Sequence, residues 1–194
     1  RDLPGRPGYV FGLEDEPYQT GYAALPPITL DAKGAARVEV PVPPLGPVSR
    51  PLALTATFRV ADGSARPVER SLTRPVLPAA PLIGVKPLFD GAVDQGGVAR
   101  FEVQAVGPDL APLALGPADW TLERIDTTFQ WYELEGQWRY EPVTRRERVA
   151  NGRLDLGAAP AALEAAVDWG RYELTLTGTD GRYIATSLGF DAGW

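Results

Sequence analysis

The sequence predicts an all-β chain made of two tandem antiparallel β-sandwiches, and three observations carry that prediction. Apolar residues alternate with polar ones in several short runs, the period of a strand with one buried face. Twenty prolines and 21 glycines sit mostly between those runs. Asp-Gly and Asn-Gly pairs supply residues suited to tight turns.

From the N-terminus, "GLEDEPY" (12–18) clusters Glu14, Asp15 and Glu16, and reads as a solvated acidic turn in preference to a cation site. "DAKG" (31–34) has Asp to open a turn and Gly to close it. "ARVEV" (36–40) is expected to be a strand that buries Val38 and Val40. "LALTATFRV" (52–60) places Leu52, Leu54, Ala56, Phe58 and Val60 on one side, and "VADGSA" (60–65) follows as an Asp-Gly turn. "TRPVLPAAPLIG" (73–84) is stiffened by Pro75, Pro78 and Pro81. The domain boundary belongs there, giving one domain of residues 1–79 and another of 80–194. The first is short for a complete sandwich, which points to a missing N-terminal strand.

In the second domain, "GAVDQGG" (91–97) has the glycine spacing of a phosphate loop but not its Lys or Ser/Thr, and reads as a turn. "ARFEVQAV" (99–106) buries Phe101, Val103 and Ala105. "DAKGAARVEV" (31–40) and "DQGGVARFEV" (94–103) resemble an internal repeat, although ten residues cannot separate duplication from one turn-plus-strand solution used twice. "TTFQWYELEGQWRYEPVT" (127–144) forms a hairpin if Glu135-Gly136 is its two-residue turn. Trp138 then faces Glu133, Tyr140 faces Trp131 and Pro142 faces Phe129, so Phe129, Trp131, Trp138 and Tyr140 share one face. Tyr132 falls on the other face, opposite Arg139, whose guanidinium is expected to lie on the ring for about 0.5–1 kcal/mol.

Further on, "ANGR" (150–153) is expected to be a type I′ turn that sets Val149 opposite Leu154 and Arg148 opposite Asp155. "GAAPAALEAAVDWG" (157–170) is Ala-rich, with Pro160 where a helix could begin. Leu163, Ala165, Val167 and Trp169 nevertheless alternate with polar or small residues, and Gly170 follows, which favours a strand. "RYELTLTG" (171–178) buries Tyr172, Leu174 and Leu176, and "TDGR" (179–182) is another turn.

The composition narrows the chemistry. There is no Cys and no His, so thiolate catalysis, disulfides and Cys/His metal sites are excluded within these residues. Histidine, the usual general base near neutral pH, is absent with them. Net charge is −6, which argues against nucleic acid as a partner. No apolar run is long enough to span a membrane. The sequence starts at Arg1 and not at Met, and is read as a segment of a longer polypeptide. No Ser lies in a nucleophile elbow.

The candidate contact residues are therefore the hairpin rings Phe129, Trp131, Tyr132, Trp138 and Tyr140. They could pack on a sheet or a neighbouring domain, or serve as a partner-binding patch or a carbohydrate platform. No catalytic, cofactor-binding or metal-ligating residue is expected, and no cofactor.

Several long stretches also resemble bacterial α2-macroglobulins: "GYVFGLEDEPY" (8–18), "PLIGVKPLFDG" (81–91), "FQWYELEGQWRYEPVT" (129–144), "WGRYELTL" (169–176) and "GFDAGW" (189–194). The resemblance covers essentially the whole chain. It implies two successive macroglobulin-like domains, each a seven-stranded antiparallel sandwich, shortly before the bait region of a protease-trapping inhibitor. It implies a periplasmic protein, anchored to the inner membrane in its full-length form. Its partners would be the other domains of the parent chain and target proteases. The family's thioester needs a Cys, so that chemistry lies outside these residues. The resemblance makes the "DAKG" and "DQGG" stretches non-equivalent turns. The reading is a non-catalytic scaffold that positions the bait region and transmits its cleavage. The alternative is a surface adhesin or carbohydrate-binding module that uses the aromatic hairpin.

Overall fold

The computed structural model describes residues 1–42, 48–61, 66–179 and 184–193. It is all-β, with antiparallel sheets and no helix among the described residues. Ten strands run in order: β1 (Val10–Phe11), β2 (Leu52–Val60), β3 (Val68–Val76), β4 (Leu82–Pro87), β5 (Val98–Val106), β6 (Gly116–Leu134), β7 (Gln137–Leu156), β8 (Ala161–Ala166), β9 (Gly170–Gly178) and β10 (Thr186–Ala192).

Alternating apolar residues on β4, β5 and β8 meet those on β6, β9 and β10 to make one core. The first sheet has strand order β1-β4-β5-β8 and the second β10-β9-β6-β7. Ile83, Val85, Phe101, Val103 and Leu163 from the first face Leu122, Tyr172, Leu174, Leu176 and Phe190 from the second. Phe101 meets Phe190 edge-on at 5.4 Å, and Tyr172 stacks on Phe190 at 5.6 Å. β8 settles the Ala-rich stretch as a strand: Leu163, Ala165 and Val167 are buried, while Trp169 stays exposed.

The first sheet is covered on its outer side as well, and this breaks the simple alternation. Gln104 and Val106 on β5, and Leu82 on β4, are buried beside their inward neighbours. Leu3, Tyr9 and Phe11 lie over them and form a second apolar cluster with Leu82 and Val106. Gln104 is satisfied there: Arg6 Nη1 donates to its Oε1 at 2.5 Å, and its Nε2 donates to the Ala158 carbonyl at 3.1 Å. β1 completes the arrangement by pairing Val10 with Val85 and Phe11 with Gly84. Gly84 is needed because the Phe11 ring lies where a Cβ would stand, 2.6 Å away.

Among the described residues β2 and β3 pair only with each other, from Leu52↔Val76 to Val60↔Val68. β2 spans the stretch read from the sequence. Its apolar face is half-buried at Leu52, Leu54 and Ala56 and exposed at Phe58 and Val60. The "ADGS" and "DGR" turns fall largely outside the described residues. The Asp31 turn forms: Gly34 N–H donates to the Asp31 carbonyl at 2.9 Å, and Lys33 and Ala35 N–H donate to its carboxylate.

Two expectations are corrected. Residues 36–40 form no strand. Val38 and Val40 turn inward to half-burial, but no neighbouring strand among the described residues offers them a ladder, and alternation without a partner gives only extended chain. In the resembling stretch, by contrast, the turn at Asp94–Gly97 leads directly into β5.

The second correction is at Asn151-Gly152, which do not turn. They lie within β7, opposite Thr121 and Trp120. Neither has a positive φ. Gly152 serves close approach instead: the Trp120 indole lies 2.9 Å from where its Cβ would be. Val149 is the extra residue of a bulge, since Ala150 pairs Leu122 while Arg148 pairs Glu123.

Candidate partner-binding hairpin

The turn at Glu135-Gly136 forms as expected, with φ of 54° and 75° at its two residues. It fixes the pairs Glu133↔Trp138, Trp131↔Tyr140, Phe129↔Pro142 and Tyr132↔Arg139, as read from the sequence. β9 accompanies β6 only as far as Ile125↔Arg171. Beyond that point, residues 126–145 continue as a ribbon with no third strand among the described residues, about 30 Å long at 3.4 Å per residue.

No described part of this chain covers the ribbon's aromatic face. Phe129, Trp131, Trp138 and Tyr140 are 59, 66, 70 and 61% exposed there, and Tyr132 is 41% exposed on the other face. The rings support one another: Tyr140 lies 5.4 Å from Trp131 at an angle of 48°, and 5.8 Å from Phe129 at 69°. Arg139 stands opposite Tyr132, but the expected cation–π contact is not formed. Among the described residues that contact belongs to Lys86, 5.9 Å over the Tyr9 ring. A long side chain at an exposed site holds such a geometry weakly.

The ribbon is rooted in a charged junction that the sequence did not reveal. Arg146 Nη1 donates to Glu173 at 2.6 Å and lies 3.5 Å from Glu123, and Asp15 approaches its Nη2 at 3.6 Å. The hydrogen bond to Glu173 holds the Arg146 guanidinium above its ordinary range, against the effect of burial. Asp15, Arg146 and Glu173 line an open cleft of about 240 Å³ with Glu14, Thr127, Thr144 and Arg171.

The acidic stretch at 14–16 is solvated at Asp15, while Glu14 and Glu16 are half-buried. Each carboxylate lies beside an arginine: Glu14 with Arg1 at 3.7 Å, Glu16 with Arg50 at 3.5 Å, and Asp15 with Arg146, which Glu173 and Glu123 share. Among the described residues no cluster of three or more Asp or Glu is arranged to hold a metal ion. Glu14 also accepts from Gly189 N–H at 2.6 Å, and Glu16 from Ser49 N–H at 2.8 Å. Arg1 Nη2 donates to the carbonyls of Gly12, at 2.6 Å, and Ser187. Residues 1–16 are thus tied into the second sandwich by the Asp15–Arg146 ion pair and by hydrogen bonds to Ser187 and Gly189, as well as by Phe11. The one sequence signal for this was the apolar "GYVF" run just ahead of the acidic turn.

Two family models match in succession. The bacterial α2-macroglobulin MG5 domain matches residues 1–78, and bacterial macroglobulin domain 6 matches residues 84–194. The chain belongs to the bacterial α2-macroglobulin family. Two curated α2-macroglobulins, from Xylella fastidiosa strains 9a5c and Temecula1, are each 33% identical over 199 aligned positions, covering 99% of this chain. The chain spans 12% of the length of those relatives.

Solved α2-macroglobulins share the fold. The Salmonella protein reacted with methylamine aligns with a TM-score of 0.75 at 23% identity, covering 98% of this chain and 13% of that one. The native Escherichia coli protein gives 0.75 at 21% identity, with the same coverages. The Escherichia coli protein activated by porcine elastase gives 0.71 at 23%, covering 97% and 17%.

Proposed function

We propose that this chain is a non-catalytic scaffold segment of a protease-trapping α2-macroglobulin, divided at residues 79/80 into two macroglobulin-like domains. It holds the bait region within reach of a protease and transmits the strain released when the bait is cut. The parent protein is periplasmic and anchored to the inner membrane. One observation supports this reading above others: two consecutive macroglobulin domain models cover nearly all of a chain that spans 12% of its α2-macroglobulin relatives. Solved relatives have been captured after activation by elastase and by trypsin, so proteases act on proteins that share this fold.

The test uses the full-length parent, with and without an endoprotease. Limited cleavage, a change in sedimentation, and retention of the protease on the cleaved protein are expected. Fragmentation with no change of shape and no retained protease overturns the reading.

The exposed rings favour one alternative, a carbohydrate-binding module. Titrating oligosaccharides against the chain while following Trp fluorescence separates the two. A saturable shift supports the module, and a flat response supports the scaffold.

A further inference from the structure

We propose that the ribbon's aromatic face is a docking surface for another domain of the same polypeptide, an inference that rests on reading the chain as part of a longer α2-macroglobulin. Four large rings stand open on a ribbon that pairs with no further strand among the described residues. At about 150–250 Å² per ring and about two-thirds exposure, they offer roughly 400–650 Å² of apolar surface, more than half of one partner's share of a stable interface. Soluble proteins rarely leave so large an apolar patch uncovered. The relatives extend far beyond the span this chain occupies, so most of the parent's surface lies outside it.

The geometry argues against the other occupants. Trp131, Tyr140 and Phe129 are inclined to one another by 48° and 69°, so they present a ridged surface and no flat platform for a sugar ring. Residues 126–145 hold Asp126, Glu133, Glu135 and Glu141 against Arg139 and Arg145, four acidic groups to two basic, a net of −2. The whole chain carries −6. Face-to-face pairing of two copies would set Glu133 and Glu135 against like charges. The surface that fits is an apolar hollow with a basic rim on a domain held nearby by the chain itself, at high effective concentration.

The experiment places p-benzoylphenylalanine at position 140 of the full-length parent, on the aromatic face, and separately at position 132, on the opposite face. Irradiation is done before any protease is added. From position 140 the expected product is an internal crosslink to a domain outside residues 1–194. Its yield should be unchanged on tenfold dilution, and position 132 should give several-fold less. A dimer that fades on dilution, a crosslink suppressed by oligosaccharide, or no crosslink at all overturns the proposal.

Trp131→Ala with Trp138→Ala supplies the second readout. The isolated 194-residue chain should keep its thermal midpoint, because both rings are exposed there. The parent's midpoint should fall, and an unchanged parent midpoint overturns the proposal. A parent that crosslinks internally but does not respond to protease sinks the trapping reading alone. A responsive parent without the crosslink sinks only the docking surface.

Discussion

Phe11 is fully buried on the outer face of the first sheet, where β1 is the one strand that precedes Leu82 in sequence. Phe11→Ala should cost the second sandwich about 3–5 kcal/mol in urea unfolding, although the residue lies within the MG5 match. A loss below about 1 kcal/mol would mean that the N-terminal segment is not part of that core. Tyr9, beside it, donates its hydroxyl to Glu102 at 3.2 Å. Burial first, and then the Glu102 charge, raises its phenol above the ordinary value. The unfolded chain gives up this proton near pH 10 and the folded chain only above it. The Tyr9 contribution is therefore complete below about pH 10 and is lost as pH climbs through the raised value. Urea midpoints for Tyr9→Phe should fall less steeply than wild type between about pH 9 and 11. Equal slopes would remove Tyr9 as the cause. The apolar "GYVF" run signalled a covered segment, but a Phe or Tyr before an acidic turn carries no sign of which sheet it will cover.

At the scale of elements, two turn-forming dipeptides met opposite fates. Glu135-Gly136 turns, and Gly136 takes a φ of 75° with no atom within 4 Å of where a Cβ would stand. Gly136→Ala should therefore cost about 1–2 kcal/mol through backbone strain alone. Because the ribbon stands clear of the sandwich, the loss should be local. Amides of 126–145 should exchange faster while the thermal midpoint of the sandwich holds. A fall in that midpoint would show that the ribbon and the sandwich unfold together. Asn151-Gly152 carries the stronger hairpin signal and does not turn. β7 already has β6 along its whole length, and the Trp120 indole fills the space beside Gly152. Pairing over a long strand outweighed a local preference worth far less. Where alternation was supported by a neighbour, as in β2, β5, β8 and β9, the sequence placed the strands well. At 36–40 it placed one where no described strand runs alongside.

At the scale of the whole molecule, two devices relate the tandem segments. One is the link at 77–81 between β3 and β4, which holds Pro78 and Pro81. The other is the N-terminal segment, which reaches the second sandwich through its β1 strand, the Asp15–Arg146 pair and the Gly189 N–H bond to Glu14. A chain starting at Pro17 should lose more than about 10 °C from the sandwich's thermal midpoint, since several kcal/mol of burial go with Leu3, Tyr9 and Phe11. Small-angle scattering of the intact chain should give a narrow distribution of distances between the segments. A broad distribution, or a midpoint indifferent to the truncation, would count against a rigid scaffold.

The sequence by itself determined the all-β class, most strand positions, the register of the aromatic hairpin and the resemblance to its family. These depend on the two-residue period of side chains along a strand and on residues a few places apart. Only the tertiary structure decided that residues 1–16 cover the second sandwich, that Asn151-Gly152 runs straight, and that the hairpin's rings stand free of the described residues. Each of those depends on which distant surface arrives alongside, and periodicity records that a face is apolar without recording what covers it.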